Sequence, residues 1–197
     1  MQRIVLATHN AHKVAEFQGI VARTRPDFEV VSYDGPEPIE DGTTFTENAL
    51  IKARAAAAHT GLPAMADDSG VCVDVLGGSP GVFSAYWAGH AKDDAANLAL
   101  LLDQISDIAD PHRGGHYTSA IALVTPEGAE HVVEGIWPGR IAREPRGAGG
   151  FGYDPVFVPD GQGEAERTVA EWTAEEKNAA SHRARAFTQL GPLLAAL

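Results

Sequence analysis

Four consecutive apolar residues, Ile4-Val5-Leu6-Ala7, constrain this chain more than any other feature. A run with no polar alternation reads as a strand buried on both faces, and such a strand needs cover on both sides. A helical pattern follows within a few residues. Val14, Phe17 and Val21 recur at three- and four-residue spacing, with Ala15, Gln18 and Arg23 facing outward. Asn10 is placed to cap that helix. A strand, a short turn and a helix therefore open the chain, which points to a sheet with helices on both faces.

The later segments continue the theme. A second strand is expected over Phe28–Tyr33, and the acidic, proline-bearing stretch 34–41 reads as a loop. Thr44 and Glu47 have capping-box spacing and open an alanine-rich helix to about His59, closed by Gly61-Leu62-Pro63. A strand at Ala64–Ala66 runs into Asp67-Asp68-Ser69-Gly70, and the strand pattern resumes over Val71–Val75. A leucine-faced helix is expected near Asp93–Ile105. Tyr117, Ser119, Ile121 and Leu123 mark a long strand, which Pro126-Glu127-Gly128 turns into a partner over His131–Trp137. A short strand is expected at Pro155–Val158. Thr173 and Glu176 form a second capping box, opening a helical region that Gly191-Pro192 interrupts. Strands and helices alternate first and strands cluster later, as in a mixed α/β sheet. The 197 residues suit one domain or two tightly joined lobes.

Charge narrows the partners. With 27 acidic and 15 basic side chains the formal charge is -12, which argues against coating nucleic acid or an anionic membrane. A small anionic ligand needs only a local group of donors or a metal ion. The four lysines are Lys13, Lys52, Lys92 and Lys177. The single cysteine, Cys72, excludes an internal disulfide and reads as a buried small hydrophobe. No stretch reaches the ~18 apolar residues of a membrane span. The first residues lack the pattern of a signal peptide, so a cytoplasmic protein is expected.

Four segments carry possible chemistry. Thr8-His9-Asn10-Ala11-His12-Lys13 sits where a strand hands over to a helix. There, free N–H groups, the Thr8 and Asn10 side chains and the Lys13 charge suit phosphate oxygens. A plain N-cap with a surface lysine would look the same. Asp67-Asp68 places two carboxylates side by side, a costly arrangement without a nearby cation, and a hard divalent ion answers it. Neighbouring strand residues face opposite ways, so one aspartate should face a ligand while the other is structural; a solvated turn is the alternative reading. Glu40 could add a metal ligand. Gly149–Pro155 frames Phe151 with glycines, so the ring could stack on a flat base, while Asp154, held extended before a proline, offers a free acceptor. The alternative is a loop with a core aromatic. Finally, Lys177, His182 and Arg183 bring donors together. On one ideal helix Lys177 and His182 would lie about 140° apart, so either they do different jobs or Ser181 caps a new helix.

Together these segments resemble the inosine triphosphate pyrophosphatase family, also known as dITP/XTP pyrophosphatases. The resemblance runs end to end. It includes Thr8-x-Asn10-x-x-Lys13, Glu40-x-Gly42-x-Thr44-Phe45, Glu47-Asn48-Ala49 with Lys52-Ala53, and Ala66 through Gly70. It continues through Gly77-Gly78-x-Pro80-Gly81, Trp137-Pro138-Gly139, Gly149 through Pro155, and Glu175-Glu176-Lys177-x-Ala179-x-Ser181-His182-Arg183. The resemblance implies a single domain over residues 1–197, with a long, twisted mixed sheet, helices on both faces and two lobes around a central cleft. It implies a homodimer that hydrolyses ITP, dITP and XTP to the monophosphate and pyrophosphate with Mg²⁺. It assigns the triphosphate to Thr8, Asn10, Lys13 and Ser69, with His9, Ala11 and His12 in the same substrate loop and Lys52 near the phosphates. Asp68 becomes the metal-linked acceptor for the proton of water, with Glu40 as a second metal ligand. Phe151, Gly152, Tyr153, Asp154, Lys177, His182 and Arg183 form the base pocket.

The chemistry of the base agrees. Inosine and xanthine carry an acceptor oxygen at the 6-position where adenine carries a donor amine. Donors aimed there reject adenine by as much as about 10⁴–10⁵-fold, because buried polar groups would be left unpaired. Two features depart from the family pattern: His9 and His12 in the phosphate loop, and Trp172, expected at the pocket rim or a subunit surface. A purine nucleotide sensor without turnover is the rival reading, and a phosphatase releasing orthophosphate is a third.

Overall fold

The apolar opening run becomes β1 (Gln2–Leu6), and the helical pattern behind it becomes α1 (Ala11–Thr24). The computed structural model describes residues 2–9 and 11–197; the side chains of Ala11, His12, Glu16, Ile20, Arg23 and Thr24 are outside what it describes. The capping role expected of Asn10 and the outward face of Arg23 therefore lie outside the described residues. The remaining elements are β2 (Phe28–Ser32), α2 (Phe45–Thr60), β3 (Ala64–Val73), α3 (Asp94–Gln104), β4 (Gly114–Val124), β5 (Glu130–Ile141), β6 (Phe157–Pro159), α4 (Ala174–Ala180) and α5 (His182–Ala195). The strands form one mixed sheet in the order β2-β1-β3-β4-β5-β6. β1 runs parallel to β2 and β3, and β6 runs antiparallel to β5.

The chain builds two compact units. The first comprises Met1–Asp68, Ser119–Gly135 and Ala186–Leu197; the second comprises Ser69–Thr118 and Ile136–Arg185. In the first unit, the two-residue period of the strands sorts side chains onto two faces. Ile4, Leu6, Met65, Ile121 and Leu123 meet Phe17 and Val21 of α1 and Phe187, Leu190 and Leu194 of α5. Val5, Ala64, Ala66, Ala120 and Ala122 meet Ala49, Ala53, Ala56 and Ala57 of α2. Small residues on both partners bring α2 close to its face. Helices thus cover both faces, as the unalternating opening run requires. In the second unit, Val71 and Val73 pack with Leu101 and Ile105 of α3 and with Trp137, Ile141 and Phe157.

Both expected capping boxes are present. Thr44 accepts from the Glu47 N–H at the start of α2, and Thr173 does the same for Glu176 at the start of α4.

Several local expectations are corrected. Asp67–Gly70 does not interrupt a strand: β3 runs unbroken through it, and Asp74–Leu76 is a 3₁₀ turn rather than strand. Gln18 is not a solvent-facing residue. Its side chain accepts from the Val30 N–H at 2.6 Å and donates to the Phe28 carbonyl at 3.4 Å, serving β2. Pro192 does not break the last helix, which continues to Ala195. Leu190 and Leu194 stay locked in the core on either side of it, and Arg25 donates to the Leu194 carbonyl at 2.6 Å.

Candidate active site

The first unit holds a pocket of about 160 Å³ where β1 gives way to α1, lined by Thr8, His9, Lys13, Glu40, Lys52 and Asp67 among others. Strand alternation splits the aspartate pair. Asp67 shares its parity with Met65 and pairs with Lys13 of α1, whose ammonium lies 2.9 and 3.1 Å from its two oxygens. Asp68 shares its parity with Ala66 and lies 3.5 Å from Lys52 of α2. Lys52 also binds Glu40 at 2.9 Å. The loop bearing Glu40 is held by the start of α2: Gly42 N–H donates to Asn48 Oδ1 at 2.9 Å, and Thr43 and Thr44 N–H donate to Glu47. His9 contacts the acidic loop through Glu37 at 3.2 Å and the Gly35 carbonyl at 3.2 Å, and lies parallel to the Tyr33 ring.

The electrostatics single out Asp68. Burial raises its pKa, with help from Glu40 and Asp67 and against the pull of Lys52. Its Oδ2 is buried and has no hydrogen-bond partner among the described residues. Burial works against the Lys52 charge, yet Asp68 and Glu40 outweigh it and the net shift is upward. Lys52 is therefore a lasting ammonium between two carboxylates. Among the described residues no three His, Cys, Asp or Glu side chains gather as a self-sufficient metal cage.

The second unit holds a pocket of about 230 Å³. Its lining includes Ser69, Phe151, Gly152, Tyr153, Asp154, Lys177, His182 and Arg183. Phe151 is 62% exposed, so it is not the core aromatic of the alternative reading. The Lys177 ammonium lies 4.3 Å from the Phe151 ring centroid and donates to Asp154 Oδ2. Asp154 departs from the extended residue with a free carboxylate expected from its proline neighbour. It lies in a turn closed by its N–H to the Phe151 carbonyl, and it is only 2% exposed. Its carboxylate also accepts from Phe151 N–H at 2.9 Å and from Tyr117 at 3.4 Å. Gly150 makes this possible. Its φ is +71°, and a Cβ there would overlap Asp154 Oδ2.

Ser181 settles the choice left open between Lys177 and His182. Its N–H closes α4 on the Lys177 carbonyl, and its hydroxyl accepts from Ala184 N–H at 3.3 Å at the start of α5. The chain turns there, which brings both residues to one pocket. His182 stacks on Tyr117 at 4.8 Å, and Arg183 donates to Ser69 Oγ at 3.3 Å.

Thr8, His9, Lys13, Glu40 and Lys52 thus gather in the first unit with Asp68 against Lys52; all eight of the other described candidates gather in the second. Asn10 lies outside the described residues, as do the side chains of Ala11 and His12. Sequence reasoning missed Tyr117 and Asp94. Tyr117 reads as an ordinary strand position; burial first, and Asp154 next, hold its pKa well above the usual phenol value, so it remains a donor. Asp94 accepts from Gly152 N–H at 3.0 Å, a contact 58 residues apart that no local motif signals. Trp172 is not part of this lining. It packs on Trp137 and under Arg167, and donates to Gln162.

Residues 4–193 match the model of the Ham1 family, and the chain belongs to that family. A dITP/XTP pyrophosphatase of Leifsonia xyli subsp. xyli is 60% identical, over 100% of this chain and 98% of its own. Among solved structures, a HAM1 protein from Coxiella burnetii superposes with a TM-score of 0.91 at 41% identity, covering 100% of both chains. A nucleoside-triphosphatase/dITP/XTP pyrophosphatase from Mycobacterium abscessus superposes with a TM-score of 0.82 at 52% identity, covering 96% of this chain and 98% of that one. The family resemblance read from the motifs is thereby borne out, as is the mixed α/β fold.

Proposed function

We propose that this chain is a hydrolase of the nucleotide pool, a pyrophosphohydrolase that converts ITP, dITP and XTP to the monophosphate and pyrophosphate. The observation that carries the reading is Asp68, a half-buried carboxylate of raised pKa beside Lys52 and Glu40, in a chain matched end to end by relatives named for this activity.

The residues take these roles in the proposal. Thr8, Asn10, Lys13 and Ser69 hold phosphate oxygens, with His9, Ala11 and His12 in the same substrate loop and Lys52 near the phosphates. Asp68 accepts a proton from water as the bond between the α and β phosphates breaks. The elements of water are shared between monophosphate and pyrophosphate, so the reaction needs no further reactant. Asp68, with its unpartnered Oδ2, and the half-exposed Glu40 fit Mg²⁺, an ion usually held by one or two carboxylates plus phosphates and water. When bound, Mg²⁺ offsets phosphate charge and lowers the pKa of a water.

Base recognition belongs to the second-unit pocket. Exposed Phe151 offers a stacking face, steadied by Lys177. Asp154 orients Lys177 and the Phe151 backbone, Tyr117 supports Asp154 and His182, and Gly152 and Tyr153 complete the wall. Donors from Lys177, His182 or Arg183 suit a 6-oxygen and disfavour the adenine amine. The proposal includes a single-domain, cytoplasmic homodimer with no nucleic-acid or membrane partner. The net charge of -12 supports the lack of a nucleic-acid or anionic-membrane partner, and no described helix is long and apolar enough to cross a membrane.

A product-resolved assay tests the reading. With dITP and Mg²⁺, pyrophosphate is expected. Orthophosphate would indicate a phosphatase, and binding without turnover a sensor. Asp68→Asn should abolish pyrophosphate release while nucleotide binding, followed by calorimetry, is largely retained; near-normal turnover would sink the assignment of the proton acceptor.

A further inference from the structure

A third pocket, of about 200 Å³, lies in the second unit and shares no residue with the two described above. Four arginines line it: Arg113, Arg140, Arg143 and Arg146. In a chain of net charge -12 this is a local concentration of guanidinium donors. Arg113 is 2% exposed, its hydrogen bonds go to backbone carbonyls, and Arg143 and Asp110 act on its charge through space in opposite senses. Its guanidinium donates to the carbonyls of Ile141 at 2.9 Å, Ile105 at 2.5 Å and Ala142 at 2.9 Å. Carbonyl dipoles orient a buried cation without cancelling its charge, and a buried charge calls for a counter-ion.

The acids nearby are committed to the outer arginines. Glu166 lies 2.9 Å from Arg140, Asp110 lies 2.6 Å from Arg143, and Glu171 lies 3.9 Å from Arg146. Asp110, Glu144 and Glu166 also line the pocket, and with Glu171 these acids balance the four arginines, so an oxyanion would be held by guanidinium hydrogen bonds in place of carboxylates rather than by an excess of charge. The outer pairs are solvent-exposed and worth only about 0–1 kcal/mol each, so a better acceptor can replace their carboxylates. Guanidinium forks match phosphate oxygens with two parallel hydrogen bonds.

We infer that this arginine-lined pocket binds a small phosphate-class oxyanion, with Arg113 as its fixed charge and Arg140 and Arg143 as its adjustable arms. The inference does not rest on the proposed activity. A diphosphate and a single phosphoryl group share the required chemistry, and two probes separate them.

The experiment titrates the intact protein, without Mg²⁺, with inorganic pyrophosphate and separately with orthophosphate, following the amide resonances of Ile141–Glu144 and the Arg113 Nε–H. Saturable shifts with either probe are expected, the tighter one naming the ligand class. Arg140→Ala/Arg143→Ala should weaken that binding about tenfold or more, equal to ~1.4 kcal/mol, while dITP turnover stays within about twofold. Arg143→Ala alone, a milder surface change, should give an intermediate loss if the double variant fails to fold. The inference is overturned by the absence of saturable shifts, by shifts that survive in the variants, or by equal shifts with chloride at matched ionic strength.

Discussion

A one-residue step along a strand decides what each half of Asp67-Asp68 does. Asp67 turns to the face covered by α1 and neutralises Lys13; Asp68 turns to the face covered by α2 and meets Lys52. Alternation makes this division legible in the sequence, but which lysine answers which acid depends on helix placement. Asp154 shows the opposite case. Its neighbours suggest a free acceptor, whereas folding gives it three donors. Asp154→Ala should therefore strand Lys177 and the Phe151 N–H and cost about 3 kcal/mol, the low end for breaking a buried pair, since Lys177 keeps some access to water. Urea unfolding of the variant measures that cost. Phe151→Ala behaves differently. The ring is mostly exposed, so stability should hardly move, while the loss of base stacking, worth about 1–3 kcal/mol, should raise KM for dITP about tenfold or more with kcat largely kept. Steady-state kinetics separate the two constants, and an unchanged KM would remove the ring from the base pocket.

Helix ends do more here than helix faces. The capping box of α2 also pins the loop that presents Glu40, and Ser181 both ends α4 and starts α5, so that Lys177 and His182 share a pocket. The sequence leaves Ser181 as one of two readings, whereas the α2 cap is a short-range pattern and readable in advance. The continuity of β3 is not, because Asp67–Gly70 has turn composition and becomes strand only when neighbouring strands pair with it. The α4 cap has a pH signature. The hydrogen bond from Arg167, followed by the Thr173 N–H, depresses the Glu176 pKa from 4.5 to about 2. A depressed carboxylate pKa means that the stabilisation is fully present above about 4.5 and is lost as pH falls through about 2. Carboxyl carbon-13 titration should place the Glu176 midpoint near 2, and amide protection in α4 should fall over the same window. Arg167→Gln should return the midpoint toward 4.5; a midpoint already at 4.5 in the parent would contradict the cap.

For the whole molecule, net charge and local charge have different consequences. A formal charge of -12 repels polyanions in bulk, yet Lys13, Lys52 and Lys177 all fall in the two pockets assigned to the nucleotide. The homodimer included in the proposal predicts a sedimentation mass twice that of the chain; a monomer at working concentration would remove that part of it. The sequence by itself determined the class of fold, the caps, the family and nearly every candidate residue, because apolar period, capping chemistry and motif order are local properties of the chain. Only the tertiary structure decided that Lys52 lies between Glu40 and Asp68, that Tyr117 and Asp94 join the second-unit pocket, that Asp154 is buried and spent, and that Arg140, Arg143 and Arg146 share a pocket with Arg113. Each of these is a meeting of residues distant in the chain. Burial and charge pairing there depend on which strands and helices pack together, and no local pattern encodes that.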